Sequence, residues 1–414
     1  MMNICIFEDD GYRNLLPLTY MRAVFELRCG ATLLLEKVSR KFPEAKIRFI
    51  TRDYLAPKVQ ERIPESEVDS NLQPADDTLF VNGRWLYAGE DIKTEEFVGM
   101  HDDDLVYAFL KKETINKNYD RNIDVFLSNI KNNLKSTQID AKMIIYPWNL
   151  VQLNPEALID DFNSLARKGI QGSFSDQAAV IGDKGSLYLA KGAKVHPFAA
   201  IDTSHAPVMI DEGAIVYPFS YIEGPAYIGK DTYIVGGKIR EGTSLGPVCR
   251  VGGEVEESII QGYTNKWHDG FLGHSYVCEW VNIGDQATNS DLKNNYSNIR
   301  VRINGVAIDT NDWKVGSFVG DHSKFGIGNL LNTGSVVGVC TNIFGTKNQM
   351  PPKFVPSFCW GSGIDFDEYR MAPALQTAKK VLSRRGVEQN EIDIALLKKV
   401  FELTNTERHI FLKK

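Results

Sequence analysis

The stretch IDEGAIVYPFSYIEGPAYIGKDTYIVGGKIREGTSLGPVCRV, from Ile210 to Val251, decides the fold. An aliphatic residue returns every sixth position through Ile210, Val216, Ile222, Ile228 and Ile234. After a slip of one residue it continues through Ile239, Leu245 and Val251. A longer run, in a single phase of six of its own, holds Phe271, Val277, Ile283, Val301, Ala307, Trp313, Val319, Phe325, Leu331, Val337 and Ile343. A period of six fits neither an α-helix nor a single strand. It predicts a parallel β-helix, in which three hexads close one triangular coil of about 18 residues and the sixth-position side chains stack inward. Successive coils then lie roughly 4.8 Å apart.

Small residues after the inward position (Gly229, Gly273, Gly284, Gly320, Gly326 and Gly338) are expected to turn the corners. Asn289 and Asn295 fall on inward slots within ATNSDLKNNY. Two buried, unpartnered amides are costly, so the chain is expected to leave the coil there as a loop.

Upstream the pattern differs. Strand candidates Ile4–Phe7, Ile47–Thr51, Leu79–Val81, Leu105–Leu110 and Met143–Tyr146 alternate with helical stretches such as Arg22–Lys41 and Arg121–Asn133, and a helix from about Pro155 to Arg167 closes the region. This alternation predicts an α/β domain over residues 1–175 with a mostly parallel sheet. The β-helix then occupies 176–365. The extension 366–414 reads as two amphipathic helices, the first ended by Gly386.

The composition narrows the function. Acidic and basic residues are interspersed and the net charge is −6, which argues against a nucleic-acid surface. No apolar run approaches the roughly 20 residues of a membrane helix, and the N-terminus MMNICIFEDD lacks the basic start of a signal peptide. Six cysteines lie far apart without a CxxC pair, the pattern of reduced cytoplasmic thiols.

The densest polar segment, NKWHDGFLGHSYVCEWVNIGDQATNSDLKNNYS (265–297), holds Lys266, His268, His274, Asn289, Lys293, Asn295 and Tyr296. His268, beside Asp269, suits a general base near neutral pH, and the amides and lysines suit the hydroxyls and phosphate of a sugar phosphate. Metal binding is the competing reading. However, His268 and His274 fall on adjacent faces of one triangle, and His322 lies three nominal coils beyond His268. Further along, Lys324, Thr333 and Lys353 are candidate contacts for the phosphates of coenzyme A. After the first strand, Arg22 and Lys37 could neutralise phosphates, and Asp9 and Asp10 could hold Mg²⁺ through waters. No GxGxxG or GxxxxGK[ST] loop is present.

Two sets of these residues are familiar. PLTYMRAVFELRCG (Pro17–Gly30), VNGRWL (Val81–Leu86) and YPWNL (Tyr146–Leu150) resemble a sugar nucleotidyltransferase family. HDGFLGHSY and GDHSKFGIGNLLNTGSVVG resemble the acyltransferase β-helix that accompanies it. Together they resemble an alternative bacterial form of the bifunctional N-acetylglucosamine-1-phosphate uridylyltransferase / glucosamine-1-phosphate acetyltransferase.

That resemblance implies a left-handed coil, although general crossover rules predict the opposite hand. It also implies a homotrimer with acyltransferase sites between adjacent β-helices, the substrates acetyl-CoA, UTP and a sugar phosphate, and Mg²⁺ for nucleotidyl transfer. His268 inherits the base role from the family's His-x-x-Tyr-Leu-Gly segment, with Phe271 in place of the tyrosine. Lys266, Asn289, Lys293, Asn295 and Tyr296 become substrate-site candidates without individual roles. The family's Gly-rich nucleotide loop is absent, replaced by Glu8-Asp9-Asp10-Gly11, and Asn82, with Arg84 after it, stands where the metal-binding Asp is usual. A single-activity transferase and a non-catalytic sugar-nucleotide-binding module remain alternatives.

Overall fold

The computed structural model describes residues 2–71, 76–345 and 349–413. The chain forms two compact units: Met1–Leu27 with Thr32–Tyr146, and Arg28–Ala31 with Pro147–Lys414. By contacts, the first unit ends at Tyr146.

The first unit is α/β. Its sheet runs in the order Glu67–Asp69, Lys46–Ile50, Asn3–Phe7, Thr78–Asn82, Asp104–Leu110, Phe97–His101 and Thr137–Gln138. The strands from Glu67–Asp69 to Thr78–Asn82 are mutually parallel, and Asp104–Leu110 is antiparallel to both of its neighbours. Asn3–Phe7 is central because Ile4, Cys5, Ile6 and Phe7 are all buried, so both its faces need cover. Helix Ile123–Asn133 supplies part of that cover. Asn122 caps its first N–H groups, and Ile123, Phe126, Leu127 and Ile130 form one buried stripe.

Two expected elements differ. The helix over 22–41 is confined to Leu34–Lys41, because Arg28–Cys29 is extended and Gly30 turns the chain at φ +79°. The strand at 143–146 is reduced to an isolated bridge between Trp85 and Met143.

The second unit is the parallel β-helix, running from Gly169 to Glu368 in stacked sheets consistent with the left-handed form. One face stacks Ile210, Ile228, Leu245, Ile260, Val277, Val319, Val337 and Val355. The coil period read from that face shortens from 18 residues (210 to 228) to 17 (228 to 245) and 15 (245 to 260). These short coils cause the slip in the sequence ladder.

Between Val277 and Val319 the step is 42 residues, because an insertion carries the antiparallel pair Arg300–Ile303 and Val306–Asp309. Val301, Ala307 and Trp313 thus lie outside the coils. Forty-two is a multiple of six, so the phase resumes unchanged after the insertion. Phe271 also yields its inward place to Leu272, which pairs with Val255.

Asn289 does not leave the coil. It pairs with Leu331 in a two-stranded extension of the third face and is 4% exposed. Its amide oxygen accepts from the Gly273 N–H at 2.9 Å, and its nitrogen donates to the Gly273 carbonyl at 3.0 Å. The chain departs just afterwards, and Asn295 is exposed within the insertion.

The corners also differ from expectation. Their left-handed backbone positions are held by other glycines and, about as often, by non-glycine residues such as Val248, Tyr263, Trp280, His322, Cys340 and Phe358. Gly338 instead serves close coil approach, since a Cβ there would lie 2.2 Å from the Ser357 nitrogen.

Helix Pro147–Leu165 packs on the β-helix, with Leu158 and Phe162 against Met209 and Tyr227. Three C-terminal helices follow where two were expected: Met371–Ser383, Glu391–Leu403 and Asn405–Leu412. Phe411 and Leu412 pack against the β-helix core, and the buried Arg408 pairs with Glu368 at 2.9 Å. All six cysteines are buried, and none is in a disulfide among the described residues. No helix among the described residues is long and apolar enough to cross a membrane.

Candidate active sites in the two units

In the first unit Asn3–Phe7 has Lys46–Ile50 on one side and Thr78–Asn82 on the other, so strand order reverses around it. The crevice at the carboxyl ends of such strands is where open α/β sheets bind ligands. Glu8–Gly11 and Asn82–Arg84 both emerge there. Arg84, 3% exposed, grips Asp9 through Nε at 2.8 Å and Nη2 at 2.7 Å, and reaches Asp104 at 2.7 Å. Asn82 donates to Asp9 at 2.8 Å. Gly11 makes room for this fork, since a Cβ would fall 2.3 Å from Arg84 Nε. Burial alone would raise the Asp9 pKa, but the Arg84 and Asn82 hydrogen bonds hold it below the usual carboxylate value.

Of the expected ligands, Asn82, Arg84, Asp9 and Asp10 share this crevice. The expected Mg²⁺ role does not fit Asp9 and Asp10 as arranged: both Asp9 oxygens serve Arg84, and the exposed Asp10 pairs with Arg13 at 3.1 Å. Arg22 and Lys37, at 1% and 5% exposure, are buried rather than presented to phosphate.

Two residues escaped sequence reasoning. Asp124 is half-buried, and burial, then the charges of Asp10 and Asp9, raise its pKa. Arg52 pairs with Glu8 at 2.7 Å and lies 3.9 Å over the Tyr12 ring, fixing the loop after the first strand. The available signal was its position just past the neighbouring parallel strand.

In the second unit His268 sits at the corner between strands Asn265–Lys266 and Phe271–Gly273. It is exposed, next to Trp267 at 43% exposure, and its ring has no hydrogen-bonded partner among the described residues. Lys266 points inward and is spent on backbone carbonyls, so it is not presented to substrate. Lys324 likewise gives its ammonium to the Trp280 and His322 carbonyls at 2.7 and 2.8 Å, and burial pushes its pKa down to about 8. Neither lysine faces a phosphate.

Lys353 and Thr333 do come together, at 3.1 Å. Burial, then the charge of Lys293, lowers the Lys353 pKa, so these two lysines face one region. Lys293 also donates to Ser297 and the Asn298 carbonyl, and Asn295 accepts from Ser297. Tyr296 is 63% exposed, with its ring 6.0 Å from that of Trp313.

Sequence reasoning named His274 but missed the site it forms with Glu257 and Asp291. His274 Nδ1 lies 2.7 Å from Asp291, and Nε2 lies 3.4 Å from Glu257. Burial would lower its pKa, but hydrogen bonds to Asp291 and Glu257 raise it to about 9. Lys314 pairs with Glu256 beside them at 3.3 Å. Glu257, His274 and Lys314 line a cleft of about 210 Å³ with Trp148 and Trp313. The signal lay in the spacing: 257, 274 and 291 are each 17 apart, the local coil period.

Residues 4–169 match the sugar nucleotidyl transferase family model. A bifunctional sugar-1-phosphate nucleotidylyltransferase/acetyltransferase from Sulfurisphaera tokodaii is 27% identical over 200 residues, covering 48% of this chain and 43% of that relative. The match thus spans less than half of the relative's length. The N-terminal region is therefore similar to the sugar nucleotidyl transferase family, and the chain that joins it to a parallel β-helix is similar to the bifunctional nucleotidylyltransferase/acetyltransferases.

Proposed function

We propose that the chain is a bifunctional transferase making UDP-N-acetylglucosamine from glucosamine 1-phosphate, acetyl-CoA and UTP. The observation that carries the acetyl-transfer half is His268, exposed on a β-helix corner with an uncommitted ring. In this reading the sugar amine attacks the thioester carbonyl, His268 takes the amine proton, and coenzyme A leaves as its thiolate. Lys293 and Lys353 supply positive charge for phosphate, and the exposed Tyr296 contacts sugar or acyl donor. Asn295 belongs to the same exposed segment. The site is completed by a neighbouring copy in a cytoplasmic homotrimer. In the N-terminal unit, the sugar phosphate attacks UTP at the crevice holding Asn82 and Arg84, and the nucleotide brings Mg²⁺ with it.

A second reading rests on Asp9, whose carboxylate is already closed by Arg84. It is an acetyltransferase whose N-terminal unit binds a sugar nucleotide without turnover. Purified protein given acetyl-CoA with glucosamine 1-phosphate, and separately MgUTP with N-acetylglucosamine 1-phosphate, separates the two. Free thiol and pyrophosphate together support the bifunctional reading. Thiol alone supports the second, and neither product sinks both.

A further inference from the structure

Lysine is among the residues least often fully buried. Yet Lys266 fills an inward slot of the β-helix that Val251 occupies one coil before and Ile283 one coil after. It is 1% exposed. Its Nζ donates to the Gly252 carbonyl of the preceding coil at 2.9 Å, and to the carbonyls of Gly270 and His268 on its own coil at 2.6 and 3.4 Å. An ammonium has three donors, and three carbonyls receive them.

Two of those carbonyls belong to the corner that carries His268. Gly270 turns that corner at φ +118°, which suits glycine. Gly253 makes the arrangement possible from the coil before, since a Cβ there would lie 2.6 Å from Nζ and 2.7 Å from the Gly270 oxygen. Among the described residues no carboxylate forms an ion pair with Lys266; Asp269, Asp285 and Glu254 act on it only at longer range. Burial pushes its pKa down to about 8, so the fold carries a desolvation cost there. An aliphatic side chain would fill the slot without that cost. It could not bind the corner carbonyls.

We propose that Lys266 is a positioning residue: from inside the coil it fixes the corner that presents the His268 imidazole to the reacting amine. The proposal rests on His268 as the base, and it accounts for a cation at a core position. Small displacements of a reacting group can cost up to about 100-fold in rate, whereas substrate affinity depends on other side chains.

The full chain carrying Lys266→Met, Lys266→Gln or His268→Ala is assayed with acetyl-CoA and glucosamine 1-phosphate, and thermal unfolding is recorded in parallel. Lys266→Met should lower kcat about 10- to 100-fold and leave both KM values within about twofold. Lys266→Gln, which keeps a neutral donor, should recover part of the loss. An unchanged kcat in Lys266→Met beside an inactive His268→Ala overturns the positioning role alone. A loss confined to KM also overturns it. Full activity in His268→Ala removes the underlying reading first. Should Lys266→Met fail to fold, Lys266→Gln decides: reduced kcat at constant KM supports the role, and wild-type kcat overturns it.

Discussion

The imidazole of His268 is exposed and bonded to nothing among the described residues, so removing it should leave the fold intact. His268→Ala is expected to lower acetyl-transfer kcat by about 10²–10⁴-fold with an unchanged melting temperature. A loss under about tenfold would argue against a base role. Arg84 is the opposite case, buried between Asp9 and Asp104. Arg84→Ala strands the Asp9 carboxylate and should destabilise the first unit by roughly 3–5 kcal/mol in urea unfolding. A change near zero would mean that solvent already shares the pair.

Among the elements, the insertion after Asn289 is held where Asp291 meets His274. The folded pKa of His274 is raised to about 9, above its ordinary value of 6.5, by its carboxylate partners. The contribution is therefore complete below about pH 6.5 and is lost as pH rises towards 9. Relative to His274→Gln, the wild-type melting temperature should fall across that window. Parallel curves for the two proteins would exclude the clamp. Coil spacing offers a separate test: Gly338→Ala forces a Cβ to within 2.2 Å of the Ser357 backbone and should cost about 1–3 kcal/mol or more. Calorimetry showing no loss would mean that the coils separate easily.

These elements also explain what was legible beforehand. The coil was readable because Ile210, Ile228 and their neighbours must all face inward, and burial imposes the period. The insertion was not, because its 42-residue step preserves the phase of six and disguises Val301, Ala307 and Trp313 as coil residues. Asn289 was misplaced because its amide is satisfied by the Gly273 backbone, which no spacing rule reveals. The segment around His268 marks a polar cluster, and its role there is the proposal made above. The triad of Glu257, His274 and Asp291 required the local 17-residue coil, known only once the register was seen. Arg22, Lys37, Lys266 and Lys324 show the general weakness: a cation in sequence carries no mark of whether it meets solvent or carbonyls.

At the scale of the whole molecule, an α/β unit within the region that matches the sugar nucleotidyl transferase model and a β-helix share one chain. In the function proposed above, the two carry out successive steps on one sugar phosphate, the β-helix step at His268. A crystal structure of the protein with glucosamine 1-phosphate bound tests this most directly. The sugar amine is expected within about 3 Å of a His268 ring nitrogen. A sugar bound with its amine well beyond hydrogen-bond reach of that ring, for instance in the cleft beside His274, would contradict it.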